Sequence, residues 1–171
     1  MREVSRLLSA WENVERDPAK VSEVMQDAVE KYPDFAAGWG HLGLARMQSG
    51  EAKAAEAALI KALNLEPESP GWHLALSTLY KLAVANAKGL IERIERIRKM
   101  AESGVEVSDD CLTMPPDYVS QITLDALGHT YEHIRGLAEK HAKNVLNLTR
   151  EKEFTQPAIN NLLEIQTADQ M

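Results

Sequence analysis

Cysteine is almost missing from this chain. Cys111 is the only one in 171 residues. A lone cysteine cannot close an internal disulfide, so the composition suits a reducing, cytoplasmic setting. Aromatic residues are also scarce, at 5%, and no segment alternates Val, Ile or Thr with polar residues as strands would require. Long apolar runs are absent: nothing approaches the roughly 18 consecutive residues of a membrane span. The opening stretch, MREVSRLLSAWENVERD, is charged throughout and has no apolar signal core. A block of one charge is missing as well. Net charge is −7, and the one basic stretch, RIERIRK (93–99), is interrupted by Glu95. That reads as a solvated helix face, not as a stripe for nucleic acid or an anionic membrane.

What remains is rich in Ala, Leu, Glu and Lys, a mixture that favours helix. Three motifs invite a chemical reading. GWGHLG (38–43) spells the G-x-G-x-x-G of a dinucleotide loop. That loop must follow a strand. Here it follows VSEVMQDAVEKY, an amphipathic helix closed by Pro33, so these glycines belong to a tightly packed helix. Gly40 is expected on the inner face, where its missing side chain admits a close neighbour.

HTYEH (129–133) places His129, Glu132 and His133 in the H-x-x-E-H order of zinc hydrolases. Such enzymes need a third ligand far downstream, and little of the sequence follows His133. On a helical wheel both histidines share the polar side with Glu139, Lys140 and Lys143. They read as solvated, whereas His141 lies nearer the apolar face and reads as a packed boundary residue. Cys111 sits beside Asp109 and Asp110, whose charge opposes thiolate formation. The pair of aspartates lacks the alternating ligands of a calcium loop. No enzyme, metal site or cofactor is expected.

An internal period organises the first half. Met25 and Leu59, Ala28 and Ala62, and Pro33 and Pro67 all recur at one spacing. That spacing, about 34 residues, is the period of a helix–turn–helix repeat. Residues 36–69 resemble a tetratricopeptide repeat: Trp39, Leu42 and Gly43 match its first helix, and Ala55, Leu59, Ala62 and Pro67 its second. Arg46 stands where the family has Tyr. Residues 2–35 resemble a degenerate copy through Leu8, Ser9, Met25, Ala28 and Pro33. A third copy starts near Pro70 and keeps Leu76, Ser77 and Tyr80. Its second helix, within 84–103, keeps Gly89 but carries Arg93 and Arg96 at apolar positions. The resemblance implies a close crossing at Gly43 and Ala55, where a larger side chain would cost about 1–3 kcal/mol.

The tail reads differently. Residues 104–116 are a break rich in Gly, Pro and Asp. Residues 117–150 form a long helix with Gly128 and Gly136 as its weak points. A last helix runs from about Gln156 to Thr167, with Pro157 in its first turn. The expected fold is therefore all-α: a repeat domain over 1–103 with two and a half to three repeats, a linker over 104–116, and a helical extension over 117–171. The extension caps the solenoid, or its last helix folds back onto the groove.

The family resemblance implies a concave groove lined by the first helix of each repeat. That places Arg6 and Asn13, His41, Leu44 and Met47, and Leu74, Thr78 and Lys81 in the groove. The lining is mostly small and apolar, which suits an amphipathic helix better than a terminal carboxylate. The expected function is non-catalytic binding of a protein or peptide partner, as adaptor, assembly factor or cochaperone. The alternative is a structural homo-oligomer joined through 117–171, with the groove filled internally. A zinc hydrolase using His129, Glu132 and His133 is the third.

Overall fold

The computed structural model describes residues 17–103 and 121–167, excepting the side chains of 97, 98, 100–102 and 121–129. Arg6, Asn13, Cys111 and its two neighbouring aspartates lie outside the described residues. Among the described residues there are six helices and no strand, so the chain is all-α. The helices are α1 (Pro18–Lys31), α2 (Ala36–Gln48), α3 (Ala52–Leu65), α4 (Pro70–Glu102), α5 (Gln121–Leu148) and α6 (Lys152–Thr167).

Local signals set most of the boundaries. Asp17 caps α1 by accepting from the Ala19 N–H at 3.0 Å, and Pro18 occupies the first turn, where a missing N–H does no harm. Pro33 follows its end. Gly50 lies between α2 and α3 with φ 78°, a left-handed conformation that costs a glycine nothing. Trp39 and Trp72 tie down the starts of α2 and α4 in the same way. Each indole N–H reaches six residues back, to the Pro33 carbonyl at 2.8 Å and to Glu66 Oε2 at 3.0 Å.

Two elements depart from the sequence pattern. Where two helices are expected over 71–103, α4 is one unbroken helix of 33 residues, about 50 Å long at 1.5 Å per residue. The reason is local. One repeat after Gly50 comes Val84, which is buried and cannot adopt the left-handed turn without strain. Nothing between Ala83 and Lys88 breaks a helix, so α4 runs on. The last helix also starts earlier, at Lys152, so Pro157 lies inside it. The turn before the proline is held by Phe154, which packs against Ala142, Val145 and Ala158.

Side-chain contacts fix the directions. Short turns make α1, α2 and α3 run alternately up and down. Between α4 and α5, His73 meets His141 and Ser77 meets Ala138, so this pair is antiparallel. Between α4 and α6, Thr78 meets Asn161 and, further along both helices, Lys81 meets Glu164, so this pair is parallel. One buried cluster joins Met25, Val29, Leu42 and Ala58 across α1–α3. A second joins Ala55 and Leu59 to Ala75, Leu76 and Leu79, and reaches Ala138 of α5 and Ile165 of α6. The helices beyond residue 121 thus share a core with the helices that precede them. Each fully buried Leu or Ile contributes roughly 1.5–3 kcal/mol.

Candidate functional site

The three glycines of GWGHLG are all buried on α2, each against a different neighbour. A Cβ on Gly38 would meet Phe35 and Val29, and one on Gly40 would fall inside the Trp72 indole. At Gly43 it would lie 2.6 Å from Leu59 Cγ and 3.2 Å from the Ala55 carbonyl oxygen. The motif therefore brings α1, α3 and α4 close to one helix. Through Gly40 it seats Trp72, whose ring stands edge-on to His41 at 5.8 Å. Burial holds the His41 imidazole below its ordinary pKa, so the ring stays neutral.

The same crossing recurs between α4 and α5. One repeat after Gly43 is Ser77, fully buried, whose hydroxyl donates to the Ala138 carbonyl at 3.1 Å. The serine oxygen thus faces a helix-backbone carbonyl where the glycine faces the Ala55 carbonyl. Gly43 and Ala55 sit on consecutive helices, whereas the far longer connection from Ser77 to Ala138 carries residues 85–133 in addition. Arg46 and Tyr80 are a second matched pair. Arg46 donates to Gln26 of α1 at 2.8 Å, and Tyr80 donates to Glu56 of α3 at 2.7 Å. Burial, then the Glu56 bond and charge, push the Tyr80 pKa up, so the hydroxyl keeps its proton.

Helices α2, α4 and α6 run in the same direction. On α2, Leu44 and Met47 are half-buried against the central cluster, beside half-buried His41. On α4, all three sequence-derived groove residues are met by the helices that follow. Leu74 packs into the cluster of Ala142, Val145 and Ala158. Thr78 Oγ1 accepts from the Asn161 amide at 3.1 Å. Lys81 pairs with Glu164 at 2.9 Å. Sequence reasoning brought eight positions to one face; the six that are described lie on α2 and α4, and α6 adds a third wall.

Several residues escaped that reasoning. Asn161 is 4% exposed, and its amide also reaches Ser77 Oγ at 3.2 Å. Its signal was a polar residue at the centre of an apolar helical stripe. His73 and His141 form a buried pair with Nδ1 atoms 2.8 Å apart, His141 stacking on Tyr80. Burial, the neighbouring His73 and then Lys140 lower the His141 pKa to about 4. Burial is also the main cause that lowers His73; its bond to the Pro67 carbonyl opposes the shift, and Lys140 reinforces it.

Apolar side chains are also exposed on α4 and α6. Leu82 is 48% exposed and Leu163 54%, each the chain neighbour of one member of the Lys81–Glu164 pair. Ile159, one turn before Leu163, is also exposed. The H-x-x-E-H segment lies on α5. Its His129 side chain is outside the described residues, while Glu132 and His133 are exposed and Glu132 pairs with Arg135. Among the described residues no three His, Cys, Asp or Glu side chains are grouped to hold a metal ion. No described helix is long and apolar enough to cross a membrane. Set against protein-family models, curated proteins and solved structures, the chain matches none.

Proposed function

We propose that this chain is a non-catalytic protein-interaction module, an adaptor, assembly factor or cochaperone, built as a short tetratricopeptide-like solenoid. Its third repeat is interrupted by the stretch 85–133, which lies between the two halves of the second crossing. Its partner is an amphipathic helix or peptide laid across α2, α4 and α6. The observation that carries this reading is the set of apolar side chains that reach solvent on these three helices: half-buried Leu44 and Met47 on α2, and exposed Leu82 on α4 and Ile159 and Leu163 on α6. Singly exposed leucines are ordinary, but several on parallel neighbouring helices favour a docking surface. Lys81 is neutralised by Glu164, which favours an apolar helix over a terminal carboxylate.

The test is Leu44→Glu combined with Leu163→Glu. Both side chains reach solvent, so circular dichroism should be unchanged while capture of a co-purifying protein is abolished. Capture that survives the double change contradicts the groove. A second reading is a structural oligomer joined through the helices after residue 117. It draws on the cover that α6 provides over Leu74 and Thr78. A dimer of constant mass on dilution that captures no other protein would favour it.

A further inference from the structure

We infer that the His73–His141 pair is an acid-sensitive clasp. It holds α5 and α6 on α4 while the facing nitrogens share one proton, and it lets go when both rings become imidazolium.

The His73 Nε2 lies 3.1 Å from the Pro67 carbonyl oxygen, which can only accept, so Nε2 carries a hydrogen. A neutral His73 therefore presents a bare Nδ1. The Nδ1 of His141, 2.8 Å away, must donate to it. Two imidazolium rings would set N–H against N–H across that gap. The charged side chain that acts on both rings is Lys140 of α5, a cation that opposes further positive charge. On the other packed helices, Glu56 of α3 is held by the hydroxyl of Tyr80, which stacks on His141, and Lys81 of α4 is paired with Glu164 of α6.

Position makes this a clasp. Among its apolar contacts, the joint of α4 with α5 and α6 buries a polar set, Ser77, Asn161 and both histidines. The α1–α3 cluster is Met25, Val29, Leu42 and Ala58, with nothing to titrate. Acid therefore acts on this joint through two facing rings, and on α2 through the single ring of His41, which burial also holds low. Once released, each imidazole titrates near its ordinary value of about 6.5, so the released state binds more protons than the docked one. Docking is at full strength above about pH 6.5 and weakens as pH falls toward the His141 value of about 4.

Hydrogen exchange on the full chain at pH 7 and pH 5, corrected for intrinsic rates, tests this. Protection of 138–148 and 152–167 should fall relative to α2 and α3, by up to about tenfold per pH unit for each ring. His141→Phe keeps a ring on Tyr80 and removes one titrating group, so it should flatten that slope. Should the variant fold poorly, nitrogen NMR of the unaltered chain reads the rings directly. It should find one Nδ1–H and one Nε2–H tautomer at neutral pH, with neither ring titrating near 6.5. An unchanged slope in the variant, or two rings titrating near 6.5 with α5 and α6 still protected, overturns the proposal.

Discussion

The pair α2–α3 and the pair α4–α5 each bring a small residue against the backbone of the next helix, by different means. In the first, Gly43 removes a side chain so that Leu59 and the Ala55 backbone can close in. Gly50 makes the turn in the left-handed conformation. In the second, Ser77 keeps a side chain and turns it into a hydrogen bond to Ala138. Val84 stands where the turn glycine would be, α4 runs on to Glu102, and the part of α5 that meets Ser77 comes only after the stretch 85–133. A close helix crossing can therefore be made by absence or by a satisfied polar group. The second route leaves a joint with a buried amide and two imidazoles, each of which is costly if its partner is lost.

The sharpest way to break this comparison is Gly43→Leu. The new side chain would overlap Leu59 and press on backbone at Ala55, a penalty at or above the ~1–3 kcal/mol usual for overpacking. Cooperative melting should be lost or strongly shifted down; an unchanged melting temperature would mean that the crossing is not close. The matching change in the second pair is Asn161→Ala. It strips one amide from Ser77 and Thr78 and should cost about 1–3 kcal/mol. The loss should appear as faster exchange in 152–167, with α2 and α3 unaffected. The smallest expected effect has the opposite sign. Gly136 lies on α5 with open space around its missing Cβ, so Gly136→Ala should stabilise by about 0.5–1 kcal/mol. A lower melting temperature would show that α5 needs the glycine.

These contrasts also explain what could be seen in advance. Met25 and Leu59, Ala28 and Ala62, and Pro33 and Pro67 recur at one spacing, and local spacing is what a sequence displays. The third pair hid because Ser77 and its partner are distant in the chain; no period links them. Arg93 and Arg96 at apolar positions were the one warning, since they lie on the extended part of α4, where both are exposed. The half-burial of Leu44 and Met47 on α2 follows from a regular helical pattern. The contacts of Thr78 and Lys81 with α6 could not be read ahead, because that long-range register is set by tertiary packing. His141 was legible as a packed residue from its place near the apolar face, but its partner His73 was not.

The central claim is that α4 up to Val84 and α5 from Ile134 form the same unit as α2 and α3. The direct test is a chain lacking residues 85–133, with Val84→Gly and Ile134→Asp supplying the turn. The account predicts a helical protein that melts cooperatively and still protects 152–167 from exchange. A chain that is unfolded, or that keeps α1–α3 while α6 exchanges freely, would contradict it.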